Sequence, residues 1–359
     1  MNIFLPLVIL GVLLLITAVL ILLDYLFGGS AEKKITLNGE TELSVTGSDF
    51  VLSTLSANKI FIPSACGGKA TCGLCKFRIL NDVPNVKPTE EPFLSKEEIA
   101  DGVRLSCQVK VKDGMQIELP DGLLTAKEFK AVVTEIEDLT YDIKRVRFEL
   151  KEPDSVDFLP GQFMQIKVPG IEVIRAYSLA SDPSRTNFVE MLIRLVPKGQ
   201  ATTYVHKALK VRDKAILIGP FGDFFLQEDS DKPIVCVAGG SGKAPIRSIL
   251  FRLKELGMPR KVQYFFGAKS VKDLYYTEEF VELQKEFPNF EYIPALSSPD
   301  ESDNWKGETG LITEVLDRLT GDLTGSEAYL CGSPGMIDAC INVLNKHKIK
   351  TENVYYDKF

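Results

Sequence analysis

Cys66-Gly67-Gly68-Lys69-Ala70-Thr71-Cys72-Gly73-Leu74-Cys75 is the stretch from which the rest of the chain can be read. Its three cysteines stand at the spacing C-x5-C-x2-C, and Cys107 follows well downstream. Three thiolates from one loop and a fourth from a distant position suit a [2Fe–2S] cluster, with Cys66, Cys72, Cys75 and Cys107 as the metal ligands. The glycines let such a loop turn tightly and aim backbone N–H groups at the sulfides. Two other readings compete. A four-cysteine zinc site pairs two C-x2-C knuckles, and Cys107 has no such neighbour. A disulfide is disfavoured because nothing beyond the N-terminal segment has a secreted character.

Outward from this loop, bulk properties narrow the function. A chain of 359 residues calls for roughly two or three domains. The net charge of −7 argues against a nucleic-acid partner. With only His206 and His347 present, a histidine-rich metal site, haem ligation and a Ser-His-Asp hydrolase are poor fits. Cys236, Cys331 and Cys340 remain, and they need not pair in a reducing compartment.

Residues 3–23 carry no charge and are long enough to cross a bilayer core as a helix. Pro6 falls in the first turn, where its missing N–H costs little. A cleaved signal peptide is the rival, but no Lys or Arg precedes the run. Residues 1–30 therefore read as a retained single-pass anchor and linker. Lys33 and Lys34 place the downstream residues in the cytoplasm.

The remaining chain reads as three domains. Residues 31–125 form a small α+β domain, with strands at 34–37, 75–80, 104–111 and 116–119. Its helices fall at 49–57 and 95–100, the second opened by Ser95 and Glu98 at capping-box spacing. Residues 126–228 alternate like an antiparallel β-barrel, with strands at 130–135, 143–150, 162–168, 187–195 and 214–218. Inside this region lies Arg175-Ala176-Tyr177-Ser178-Leu179. Arg175 offers a planar fork to a pyrophosphate, Tyr177 a stacking face, and Ser178 a hydroxyl for a ring nitrogen. Gly199-Gln200-Ala201-Thr202-Thr203 opens a helix whose N-terminal N–H groups suit a phosphate. From 229 to 359 strands and helices alternate, which gives an α/β parallel sheet with ligands at the strand carboxyl ends. Gly239-Gly240-Ser241-Gly242 sits at one such end and is a phosphate-cradling loop by position.

These motifs resemble known modules. The cysteine loop resembles a β-grasp ferredoxin, one residue longer than the plant-type C-x4-C. R-x-Y-S followed by G-x-x-[ST] resembles the flavin half of the ferredoxin–NADP reductase superfamily. A-G-G-[ST]-G with C-G-x-x-x-M, here Cys331-Gly332-Ser333-Pro334-Gly335-Met336, resembles its nicotinamide half. That resemblance implies Arg175 and Thr202 at the FAD pyrophosphate, Tyr177 on the isoalloxazine ring and Ser178 near its reactive nitrogen. It implies Gly239, Gly240, Ser241 and Gly242 at the NAD pyrophosphate and Cys331 beside the nicotinamide. Phe359 would cover the flavin face opposite Tyr177.

Taken in order, the anchor, ferredoxin, FAD and NAD modules resemble the F-subunit family of the sodium-translocating NADH:quinone reductases. The likeness covers essentially the whole chain through CGGKATCGLC, IRAYSLA, AGGSGKAPIRS and the terminal DKF. The chain departs from the family in two places. Only residues 167–172 stand where members carry a longer charged and aromatic insertion, and Lys69 interrupts the glycine-rich loop. The family implies electron flow from NADH through FAD to the cluster and on to integral-membrane redox subunits, with quinone as terminal acceptor. It places the protein in the inner membrane with its soluble domains in the cytoplasm. Sodium movement would belong to the partner subunits, because an uncharged helix offers no ion path. The alternatives are the reductase component of an oxygenase system and a membrane-tethered electron carrier or redox sensor. NADH is preferred over NADPH because no Arg stands in Gly267-Ala268-Lys269-Ser270 to grip a 2′-phosphate.

Overall fold

The computed structural model describes residues 9–19, 32–46, 49–120, 123, 125–171 and 173–359. Residues 3–8 and 20–23 of the expected anchor lie outside the described residues. Residues 9–19 are helical with exposed apolar side chains. Among the described residues no helix is long and apolar enough to cross a membrane. The chain divides into two compact units, 1–62 with 68–121 and 63–67 with 122–359.

The first unit contains β1 (Glu32–Leu37), β2 (Thr41–Thr46), α1 (Val51–Ala57), β3 (Lys76–Ile79), α2 (Lys96–Ala100), β4 (Val103–Leu105) and β5 (Met115–Glu118). The strands form one mixed sheet in the order β2-β1-β5-β3-β4. Helix α1 buries Val51, Thr54 and Leu55, a spacing that puts all three on one face. Ser95 caps α2 through the expected reciprocal box: its hydroxyl accepts from Glu98 N at 3.1 Å and its own N–H donates to Glu98 at 2.8 Å. Two details differ from the sequence reading. Strand β2 was not anticipated, although Asn38-Gly39 is a strong hairpin signal and both residues have positive φ. The strand expected over 104–111 ends at Leu105, because Gln108 N turns back to the Leu105 carbonyl at 2.8 Å. Cys107 therefore sits in a turn rather than in a strand.

The second unit begins with a barrel built from β6 (Lys127–Asp138), β7 (Ile143–Glu152), β8 (Phe163–Val168), β9 (Val173–Ser178), β10 (Phe188–Arg194) and β11 (Lys214–Phe221). Helix α3 (Gln200–Lys207) follows β10. The order is β10-β7-β6-β11-β8-β9. Its two ends meet where Leu179 bridges Met191 and Ala180 N donates to Glu190 O at 2.8 Å, so no long edge stays open. Val133, Phe148, Met164, Leu179 and Leu217 fill the interior.

A parallel sheet completes this unit. It is built from β12 (Ile234–Gly239), α4 (Lys243–Glu255), β13 (Val262–Ala268), α5 (Thr277–Glu286), β14 (Phe290–Leu296), β15 (Glu308–Thr309), α6 (Ile312–Leu319), β16 (Glu327–Gly332), α7 (Pro334–Lys346) and β17 (Val354–Lys358). The strand order is β15-β14-β13-β12-β16-β17. Alternate residues feed two cores. Cys236, Tyr264 and Tyr329 pack with Ile246 and Leu250 of α4 and Phe280 of α5. Val235, Val237 and Phe265 pack on the other face with Val315 of α6 and Ile337 of α7. The chain runs outward from β12 to β15 and then returns to β16 on the opposite side. The switch point at β12 and β16 is where such sheets open a crevice for ligand.

Candidate functional site

Cys75 immediately precedes β3, and Cys107 follows β4. The antiparallel pairing of Lys76 with Leu105 brings those two ends together. The Cys75 and Cys107 thiols hydrogen-bond to each other. That bond, reinforced by burial, pushes the Cys75 thiol up, whereas the same bond pulls Cys107 below the usual thiol range against its burial. The Gln108 amide donates to Cys107 Sγ at 3.6 Å. Behind the pair, Glu90 is buried and accepts from Leu105 N at 2.9 Å, which fixes the turn that carries Cys107. Cys72 is half-buried and Cys66 buried, and none of the seven cysteines is in a disulfide. Among the described residues no group of three or more His, Cys, Asp or Glu is gathered as a metal cage. The donor set nevertheless fits an iron–sulfur group: two buried thiols brought together by the β3–β4 pairing, with an amide N–H aimed at one sulfur.

In the barrel, β9 presents the expected flavin residues at its end. Arg175 Nη1 donates to the Ile174 carbonyl at 2.7 Å, and the guanidinium remains half-buried. Tyr177 packs against the barrel core, and its hydroxyl is enclosed without a hydrogen-bond partner. Burial pushes its phenol up to about 12, against the nearby Arg175 cation. A buried orphan hydroxyl beside a partly free cation fits a polar, anionic ligand along this strand. The Thr202 hydroxyl is engaged by its own turn, accepting from Val196 N at 3.1 Å.

On the parallel sheet, Gly239-Gly240-Ser241-Gly242 follows the β12 strand end and opens α4. A Cβ on Gly242 would lie 2.1 Å from the Cys331 carbonyl oxygen, and the Gly240 φ of +56° is one that side chains disfavour. Gly242 is dictated by backbone approach and Gly240 by its positive φ, which leaves a turn free of side chains and fit for a pyrophosphate. The Tyr275 hydroxyl donates to the Gly240 carbonyl at 2.7 Å and pins the turn. Cys331 is fully buried, and burial pushes its thiol up with some help from Asp357. Phe359 is about half exposed, and its backbone N–H donates to Gly332 O at 3.1 Å.

Sequence reading missed Asp357 as a site residue, although it lies in the terminal DKF. It pairs with Cys331 across β16 and β17, and the Ser178 hydroxyl reaches its carboxylate at 3.5 Å. The ends of β9, β16 and β17 therefore meet at one point. Burial pushes the Asp357 carboxyl up from 3.8 to about 6, partly offset by Ser178. A raised acid favours the fold below the ordinary range and loses that contribution as pH rises through about 6. Asp357→Asn is therefore expected to gain stability over the wild type across pH 4 to 7, approaching about 3 kcal/mol at the upper end. Thermal unfolding across that range checks it; parallel curves for the two proteins would contradict the assignment.

Lys243, at the start of α4, was also missed. It is fully buried, with Nζ 3.6 Å from the Phe266 ring centroid and 4.5 Å from that of Tyr275, and it donates to the Tyr275 carbonyl at 2.5 Å. Burial pushes its ammonium well below the usual range; Glu279 opposes this and Arg247 adds to it. The ring faces and the carbonyl favour the cation. Lys243 thus ties the Tyr275 segment to the glycine turn.

Comparison with known proteins agrees with this layout. The chain matches the 2Fe-2S iron-sulfur cluster binding domain at 35–112, the oxidoreductase FAD-binding domain at 130–226 and the oxidoreductase NAD-binding domain at 236–341. It is 34% identical to the F subunit of the Na(+)-translocating NADH-quinone reductase of Marinomonas sp., over 98% of each chain. It is 35% identical to the F subunit of the same enzyme from Pseudomonas paraeruginosa, over 92% of this chain and 91% of the relative. Among solved structures it resembles the Amycolatopsis cytochrome P450 reductase GcoB (27% identity, TM-score 0.75) and the ferredoxin reductase in carbazole 1,9a-dioxygenase (26%, TM-score 0.71). Each likeness covers 91% of this chain and 98% of the other. The chain is an oxidoreductase that uses NADH, FAD and a [2Fe–2S] cluster. From its cysteine loop to its terminal strand, it belongs to the F-subunit family of the Na(+)-translocating NADH-quinone reductases.

Proposed function

We propose that the chain is the membrane-anchored, NADH-oxidising subunit of a sodium-translocating NADH:quinone reductase. It takes electrons from NADH and hands them to integral-membrane partner subunits, with quinone as the final acceptor. Residues 3–23 anchor it as a single pass in the inner membrane, with residues 31–125, 126–228 and 229–359 as cytoplasmic cluster, FAD and NAD domains. The observation that carries this reading is the meeting of Ser178 on β9 with Asp357 on β17, beside Cys331. A β9 hydroxyl beside the ends of β16 and β17 is the arrangement that hydride passage between flavin and nicotinamide would need. When bound, FAD and the cluster supply the change from a two-electron donor to one-electron delivery.

The chain's own residues bind and orient. Arg175 holds the FAD pyrophosphate, Tyr177 supports the ring, and Ser178 hydrogen-bonds beside its reactive edge. Thr202 shapes the turn that presents the N-terminus of α3. Gly239, Gly240, Ser241 and Gly242 would cradle the NAD pyrophosphate, Cys331 would border the nicotinamide, and Phe359 would cover the flavin and give way to nicotinamide. Cys66, Cys72, Cys75 and Cys107 hold the cluster.

Anaerobic titration of the full chain with NADH tests this. Loss of flavin absorbance together with a rhombic electron paramagnetic resonance signal is expected; a chain that binds no flavin would sink the assignment of β9. NADPH is expected to reduce the flavin at least roughly tenfold less efficiently, a difference of about 1.4 kcal/mol. Equal efficiency would transfer the specificity to Lys269. The structural likeness to two oxygenase-system reductases favours a second reading, a reductase serving a soluble oxygenase. Extraction from native membranes separates the two, since co-purifying integral-membrane subunits fit only the quinone reductase.

A further inference from the structure

The Arg247 guanidinium is 7% exposed and makes a fork of contacts across the junction of barrel and parallel sheet. Nε and Nη2 donate to the two Glu279 oxygens of α5, each at 2.9 Å. Nη1 donates at 3.1 Å to the Ala180 carbonyl and at 3.1 Å to Glu190 of β10. Its flat face lies 4.5 Å from the Tyr276 ring centroid. Glu190 is itself buried and accepts from Arg145 at 3.2 Å and from Arg147 at 2.8 Å. Ala180 stands two residues after Ser178, and Arg247 is one turn into the helix that Gly240–Gly242 opens. One side chain thus grips the tail of the flavin strand and the root of the dinucleotide turn.

We propose that Arg247 is a positioning residue for hydride transfer, fixing the distance between the nicotinamide cradle and the flavin strand through Ala180, Glu190 and Glu279. This rests on the assignment of β9 to FAD and of the glycine turn to NAD. Hydride transfer is steep in distance, and a bidentate Arg–carboxylate pair held by a third contact resists sliding in every direction. Arg247 makes all its polar contacts to the protein, to Glu279, Ala180 and Glu190. Its loss therefore changes the rate of transfer and leaves dinucleotide affinity largely intact, because the cradle itself is made of backbone.

The test is stopped-flow reduction of the full holoprotein by NADH without oxygen, comparing wild type, Arg247→Met, Arg247→Lys and Glu190→Gln. The expected result for Arg247→Met is full FAD content and NADH affinity within about threefold of wild type. Its limiting rate of flavin reduction is expected to fall at least roughly tenfold, with a larger isotope effect from NADH deuterated at the transferred position. Arg247→Lys recovers part of the rate. Glu190→Gln slows it too, and combining it with Arg247→Met adds less than the product of the separate effects. A wild-type limiting rate in Arg247→Met overturns the inference, and so does a parallel loss of FAD and NADH affinity. A wild-type chain whose flavin NADH cannot reduce overturns the site assignment itself, and this inference with it.

Discussion

Replacing Cys75 by serine is expected to abolish the [2Fe–2S] paramagnetic signal while NADH still bleaches the flavin. Cys75 immediately precedes β3, and is buried and bonded through its thiol to Cys107. Its place is fixed by the β3–β4 pairing that starts at the next residue. A serine oxygen is a harder and more basic donor than sulfur and suits iron–sulfide poorly. Loss of a supporting outer group at a metal site costs roughly 10–100-fold, and loss of a direct ligand is expected to cost more. Reduction of one-electron acceptors by NADH should fall by at least that factor. The residues proposed for hydride transfer, Ser178, the glycine turn and Cys331, lie outside the cysteine loop, and flavin reduction should be unchanged. Analysis of iron content, the paramagnetic signal and acceptor reduction on one preparation separates the two halves. A variant that keeps both iron and signal would remove Cys75 from the ligand set.

Gly242→Ala is expected to spare FAD and cripple the use of NADH. The added methyl would stand 2.1 Å from the Cys331 carbonyl oxygen, 2.6 Å from its carbon and 3.0 Å from Gly332 N. All three are backbone atoms of β16, itself hydrogen-bonded on both sides to β12 and β17. No rotamer relieves the overlap; either the glycine turn lifts from the sheet or β16 moves. Overpacking of this kind costs about 1–3 kcal/mol of stability. The turn is the proposed dinucleotide cradle and is pinned by Tyr275, so lifting it would misplace the pyrophosphate. NADH affinity measured by flavin reduction should weaken at least roughly tenfold. The barrel residues Arg175 and Tyr177 are untouched, and flavin content should match the wild type. Wild-type NADH affinity in Gly242→Ala would mean that the dinucleotide binds elsewhere.

The sequence alone determined the modules of this protein because their signals are local. The cysteine and glycine spacing of the loop, the two-residue period of Arg175-Ala176-Tyr177-Ser178, and strand-then-glycine-then-helix at residues 234–255 each lie within one or two elements. Backbone geometry then fixes which side chains share a face. Where the sequence reading slipped, at the end of β4, a turn outweighed the periodicity of a short apolar run; β2 was missed because it is largely exposed and carries little apolar alternation. The tertiary structure alone decided how the barrel and the parallel sheet meet. Ser178 and Asp357 are 179 positions apart and touch only because β17 joins β16 at the switch point of the sheet. Arg247 reaches Glu190 because the barrel closes where β9 hands over to β10. Lys243 has no local signal at all. Its rings come from β13, α5, β14 and the segment before α5, and sheet order rather than sequence spacing brings them around one ammonium. Contacts of that kind follow from strand order and crossover connections, which no short window of residues encodes.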